Sequence, residues 1–421
     1  MRTTPSVFSA RCRNPLAGLP LAAVFTLATM APAAADEPGA MLQVAPSAVE
    51  LAIAVELPAD TTVDTSAAWQ LIEEDGDLAV PAQIGAAPDG DGAVAAGRQQ
   101  VLAVIPPGGT EETPRRFRLV RADDPPAAVF EWTGVTAESL AVREGEQPVF
   151  VYNHGVITRE DLPHEEHRRS RACYIHPLYG ISGEVLTDDF PDDHYHHHGV
   201  FWTWPHVLVE GRHHDLWAGD TIHQRFVRWL VRETGPVAAV VAVENGWYVG
   251  DDQVMVERVW MRAFRSSSED RAVDVELFFT PLTAITLQGA EGKSYGGLTV
   301  RFAPGPRAET VITVPSGPTT EDLPDTPLAW ADFTSRFEGM AHRSGAAIFV
   351  PPQHPDFPPT WLTRYYGPLC IGWPGVMART FEPGDSFALD YRLWIHREAV
   401  ELDALQEAYR GYARATEVGW E

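Results

Sequence analysis

Residues 255–262 read Met255-Val256-Glu257-Arg258-Val259-Trp260-Met261-Arg262, and this stretch decides the fold class. Apolar and polar side chains broadly alternate along it, the period of two that a half-buried strand requires. Just upstream, Val237–Val243 is continuously apolar, which predicts a strand covered on both faces. Comparable runs rich in β-branched and aromatic residues recur at Ala48–Leu57, Gln100–Ile105, Arg115–Val120, Gln224–Arg232, Val254–Phe264 and Val273–Phe279. With 35 Pro and 34 Gly as punctuation, a helical bundle is excluded and the chain reads as all-β.

Working outward, residues 36–127 read as an N-terminal β unit, weakly aromatic and sandwich-like, that ends at the Asp123-Asp124-Pro125-Pro126 break. Residues 128–397 hold most of the Trp, Tyr and His and are too long for a simple immunoglobulin-type sandwich; a large two-sheet supersandwich is expected there. Residues 398–421 form a helix and tail. Leu402, Leu405, Tyr409 and Tyr412 recur near helical spacing, so the helix covers a sheet edge or face, and less than about 15% helix is expected overall.

Residues 1–35 read as a secretory signal peptide. Arg2, Arg11 and Arg13 precede an apolar stretch from Leu16 to Met30, and Ala33-Ala34-Ala35 stands before the charged Asp36 and Glu37. A periplasmic or secreted protein is expected. Elsewhere no window approaches the eighteen uninterrupted apolar residues of a membrane span. The formal charge is −26 (32 − 58), and −29 (29 − 58) once the signal arginines leave, a surface that repels nucleic acid. The sign reverses at Arg168, Arg169 and Arg171, read as a solvated turn that could meet an anion. Cys173 and Cys370 are the two cysteines of the mature chain, and an oxidising compartment would permit a disulfide between them.

All 15 His lie after residue 150, and nine fall between His176 and His223. The densest part runs Asp188-Asp189-Phe190-Pro191-Asp192-Asp193-His194-Tyr195-His196-His197-His198-Gly199, with Trp202 and Trp204 just beyond. Imidazoles exchange protons and bind metals near neutral pH, so this cluster is the candidate functional centre. In an extended segment His194, His196 and His198 would share one face and His197 would point oppositely.

Three motifs carry a resemblance. Tyr174-Ile175-His176-Pro177-Leu178-Tyr179-Gly180 leads into the aspartate- and histidine-rich stretch; Gly292-Lys293-Ser294-Tyr295-Gly296-Gly297-Leu298-Thr299-Val300-Arg301 and Trp361-Leu362-Thr363-Arg364-Tyr365-Tyr366-Gly367 follow. Together they resemble the bacterial family labelled "methane oxygenase PmoA" over most of 130–397, departing from its pattern at Tyr195 and His198. The label describes a multispan membrane enzyme, which a chain without a span cannot be. The resemblance therefore implies an exported β-rich family similar in outline to carbohydrate-active supersandwich proteins.

The residues support three readings. A carbohydrate hydrolase, lyase or epimerase would use His176, His194, His196 and His197 for proton transfer, Lys293, Tyr295, Arg301 and Arg364 to bind or stabilise oxyanions, and Trp202 and Trp204 as stacking platforms for a small-molecule or oligosaccharide substrate. This reading assigns no cofactor. A metalloenzyme would use three His, or His194 and His196 with Asp193 or Glu184, around a divalent metal such as Zn, Cu or Fe. A glycan-binding module would use the same aromatics and histidines for recognition alone. Glu257 and Glu276 could serve as bases in a cleft, although solvent-facing strand positions are the commoner fate of such carboxylates.

Overall fold

In the computed structural model, which describes residues 40–109, 114–124, 126–164 and 166–421, the strand Asp252–Phe264 pairs with Ala238–Val249 on one side and Asp270–Pro281 on the other, all antiparallel. Its Met255, Val259 and Met261 face one core, while Trp260 and Phe264 face another. Val237–Val243 divides in the same way: Ala239, Val241 and Val243 point one way, Ala238, Val240 and Ala242 the other. The unbroken apolar run thus belongs to a strand with a sheet on each side, as its composition predicts. Burying each Val or Leu side chain there is worth about 1.5–3 kcal/mol.

Three layers result. The back sheet has nine strands, from His223–Thr234 at one edge to Gly317–Pro318 at the other. Against its inner face lies a nine-stranded front sheet that runs, in spatial order, from Thr326–Pro327 through Thr360–Thr363, Pro368–Gly372, Gly297–Arg301, Val200–Thr203 and Tyr174–Leu178 to Phe130–Thr136. The core between them contains Trp202, Trp204, Trp247 and Phe279. A seven-stranded outer sheet, from residues 41–121 and the chain end Gly419–Trp420, packs Ala52, Leu102 and Val104 on the back sheet's other face. It also curls around a core of its own, and Trp420 Nε1 donates to Glu56 O at 2.8 Å near the opposite edge of the sheet.

The structure is 52% strand and 5% helical, inside the limit the sequence set. The α-helix spans Leu402–Ala415 and lays Leu405, Ala408 and Tyr412 on Trp330, Ala347 and Phe349 of the back sheet, so it covers a face. Mid-helix Gly411 is there for room: a Cβ would come within 2.4 Å of Val49 Cγ2. Cys173 and Cys370 are buried free thiols, so the permitted disulfide is not formed. No described helix is long and apolar enough to cross a membrane. Residues 1–35, read from the sequence as a signal peptide, lie outside the described residues.

Candidate functional site

The period-two alternation of the front sheet sorts its side chains. Val200, Trp202, Leu298, Val300, Leu369 and Ile371 point into the inter-sheet core. Tyr174, Phe201, Leu362 and Cys370 gather on the opposite, outward face, and alternation puts Thr299 and Arg301 there as well. Trp202 and Trp204 are 0% exposed, and Trp204 Nε1 donates to Trp373 O at 2.5 Å. Their proposed role as stacking platforms is therefore corrected: two residues apart, they share the inward face, and neither ring is open to a ligand.

Residues 179–199 fold back over the outward face. The histidine stretch is not extended there. His194 N donates to Pro191 O, His197 N to His194 O and Phe190 N to His197 O, at 2.9–3.0 Å, which makes consecutive turns. These turns overturn the face expected from a strand. His194, His196 and His197 share one cavity, whereas His198 is directed to Asp189. Gly199 allows the close return, since a Cβ would meet Ile175 O at 2.0 Å.

The cavity has a volume of about 250 Å³. Lys293 and Tyr295 reach it from the loop before Gly297–Arg301, and Arg364 and Tyr366 from the hairpin turn between Thr360–Thr363 and Pro368–Gly372. Trp217, Leu362 and Cys370 supply apolar wall. The His194 ring stacks parallel to His197 (4.6 Å, 8°) and to Tyr366 (5.2 Å, 8°), and His196 stands perpendicular to both imidazoles. Arg301 is buried beneath, its guanidinium 5.0 Å from the Tyr366 ring centre. It donates to Asp193 at 3.1 Å and approaches His197 Nδ1 at 3.5 Å. Arginine can only donate, so His197 Nδ1 carries the lone pair and its proton sits on Nε2. Arg301 thus orients the site from below and is not part of the cavity wall.

Burial, then the neighbouring His194, pulls His196 down to about 3. Burial, then His196 and Arg301, drives His197 far below the usual imidazole range. Both are neutral at physiological pH. Burial raises Tyr295 and Tyr366, so both phenols keep their protons. Burial also works to raise Asp193, but His194 and Arg301 outweigh it and leave the carboxylate ionised. Arg364 contacts Asp322 at 3.3 Å, while Lys293 has no ion-pair partner among the described residues.

His176 is not part of this cavity. It lines a separate one of about 370 Å³ together with Asp189, with its Nδ1 3.1 Å from Thr187 Oγ1. Asp189 accepts from Tyr174 OH at 2.8 Å and pairs with His198 Nδ1 at 2.8 Å, and burial pushes it up to about 6. The alternation of Tyr174-Ile175-His176 sends His176 outward two residues along from Tyr174, but the fold-back that separates the two cavities is tertiary. Glu257 is 0% exposed and not solvent-facing. It accepts from Asn245, Gln224 and Trp247 at 2.7–2.8 Å inside the core. Glu276 pairs with buried Arg262.

Among the described residues, no three His, Cys, Asp or Glu are grouped to hold a metal ion. His194 Nδ1 lies 3.0 Å from Asp193 but out of line for a hydrogen bond, and the His194 and His196 rings are perpendicular, 5.6 Å apart. Glu184 is buried elsewhere, bonded to Ser344 and to Ser182 N. Sequence reasoning missed Trp217 and Tyr366. Tyr366 lies two residues from Arg364 in the same quoted motif, a signal that could have found it.

The fold and the cavity define a layered all-β protein with a histidine-lined cavity in loops on the outer face of a sheet. The chain belongs to a family of unknown function (DUF6807), whose model matches residues 139–410. This corrects the resemblance to the family labelled methane oxygenase: His194–Gly199, Gly292–Arg301 and Trp361–Gly367 all lie inside the matched span and are features of the DUF6807 chain. No curated protein matches it.

Proposed function

We propose that this protein is an exported acid–base enzyme acting on a carbohydrate that bears a carboxylate, as a lyase or an epimerase. One juxtaposition carries the reading: His194, His196 and His197 share a cavity with two phenols and the cations Lys293 and Arg364, and no Asp or Glu is among its lining residues. Hydrolysis by the usual pair of carboxylates has no candidate pair in that wall. Proton abstraction next to a carboxylate needs a neutral base, a proton donor and positive charge to hold the developing enediolate, and these are the groups present. The volume is below the roughly 300–1,000 Å³ of drug-sized pockets, which suits one sugar ring.

In this mechanism His194, the most open of the three imidazoles, takes the proton from the carbon next to the carboxylate, with Asp193 beside it. The electron pair passes into the carboxylate, held by Arg364 and Lys293. Its return either expels the β-oxygen or forms a C–H bond on the opposite face, and in each case the proton comes from Tyr295 or Tyr366. The proposal for export rests on the Arg-rich, apolar, Ala-terminated pattern of residues 2–35.

Uronate-containing oligosaccharides incubated with the protein in heavy water test the reading. An epimerase should place deuterium at the carbon next to the carboxylate, a lyase should instead release an unsaturated uronate, and the corresponding methyl esters should give neither. Arg364→Gln and Lys293→Gln should each raise KM for the acid about tenfold. Turnover of neutral glycans with no exchange would overturn the proposal.

A further inference from the structure

The basic run Arg168, Arg169 and Arg171 is untouched by the chemistry above, and it is not the solvated turn its composition suggests. Arg169 and Arg171 are each 8% exposed. Arg168 pairs with Glu166 at 2.5 Å and Arg169 with Glu160 at 3.0 Å. Arg171 has no carboxylate partner among the described residues. Its Nη1 donates to Leu216 O at 2.8 Å and its Nη2 to Gln224 Oε1 at 2.7 Å, and the guanidinium lies 5.8 Å from the Phe201 ring centre. A guanidinium has five N–H donors, so three are left without an acceptor, and Nε is fully enclosed. Gln224 passes part of the charge toward Glu257, but that carboxylate also serves Trp247 and Asn245. Burial outweighs Glu257's help and pulls Arg171 down to about 10. A buried cation without its own counter-charge is costly to maintain.

Arg171 is among the residues lining a cavity of about 240 Å³, with Ser170, His167, His223, Gln224 and Arg225, and no acidic residue is among its lining. Arg225 on the rim is held by Gly250 O at 2.6 Å and stands 3.7 Å from Asp251. In a chain of net charge −26, such a wall is unusual. The segment Leu216–Trp217 separates it from the histidine cavity: Leu216 O holds Arg171, and Trp217 lines the other side.

We propose that this second cavity is an oxyanion-binding site in which Arg171, with Arg225 and His223 at its mouth, takes a carboxylate or sulfate group. The site stands independently of the proposed activity. Calorimetric titration of the full mature chain with inorganic sulfate, with galacturonate and with trigalacturonate, at ionic strength held constant with chloride, tests it. Saturable binding is expected, weakened about tenfold or more by Arg171→Gln and less by Arg171→Lys, which keeps the charge. Should Arg171→Gln fail to fold, Arg225→Gln and His223→Ala carry the comparison, each with a several-fold loss. His194→Ala, which alters only the other cavity, should leave sulfate binding intact. Tighter binding of the trimer than of the monomer, lost in Arg171→Gln, assigns the site to a polyanionic chain, and equal binding assigns it to a free oxyanion. No saturable binding of any probe, or binding that all these variants leave unchanged, overturns the proposal.

Discussion

The imidazole of His194 lies parallel to that of His197, with ring centres 4.6 Å apart and planes within 8°. His197 is buried and its Nδ1 faces Arg301, whereas His194 is open enough to meet a substrate and has Asp193 at 3.0 Å. The more open ring is therefore the one suited to accept a proton, and the buried one is suited to hold a substrate oxygen through a hydrogen bond from Nε2.

His194→Ala should lower kcat for an acidic sugar by about 10²–10⁴-fold without unfolding the protein. His342→Ala, at an exposed position that is not among the residues lining the cavity, should leave the rate unchanged. Steady-state kinetics and a thermal melt on the two variants are the check. Equal rates for His194→Ala and the parent would remove His194 from the mechanism.

Acid should destabilise the fold through its buried imidazoles. His196 is pulled down to about 3 and His354 to about 4, both mainly by burial, from an ordinary value of 6.5. Unfolded chains therefore bind more protons than folded ones between about pH 6.5 and pH 3–4, and stability present above pH 6.5 is lost as the pH falls. Each such group contributes about 1.4 kcal/mol per pH unit through that window. Asp189, raised to about 6, works in the opposite sense between about pH 4 and 6. Melting temperatures measured from pH 7 to pH 4 should fall, and His196→Asn should flatten the slope. A melting temperature that rises toward pH 4 would contradict this account.

Glu257→Gln should destabilise the protein although it removes a buried charge. Trp247 Nε1, Gln224 Nε2 and Asn245 Nδ2 all donate to this carboxylate, and an amide would turn an NH₂ toward one of those donors. A cost of about 1–3 kcal/mol is expected in chemical denaturation. A neutral effect would mean that the network repacks around the amide.

Protein recovered from a periplasmic or culture fraction should begin at Asp36 or within a few residues of it. N-terminal sequencing decides this, and a chain that retains Met1 in the cytoplasm would remove the argument for exported substrates.

Strand period, turn residues and helix spacing are local properties of the chain, so the all-β class, the doubly covered strand Val237–Val243 and the terminal helix could be read without a structure. The same alternation, applied from Val200 onward, would have placed Trp202 and Trp204 inward, because side chains two apart on a strand share a face. The importance given to His194, His196 and His197 as a group also came from the sequence, since four imidazoles in five positions are visible in composition alone.

Which histidines share a cavity was decided by tertiary structure. Turns at 191–197 replaced the extended geometry, sent His198 to Asp189 and left His176 lining a separate cavity with Asp189. Tyr366 and Trp217 joined the site from segments about 170 and 20 residues away, and Arg171 lost access to any carboxylate of its own through burial beneath Leu216. Local spacing determines the direction of a side chain relative to its own strand. The partner it meets across space, and the cost of its burial, depend on long-range backbone pairing that no short window of sequence contains.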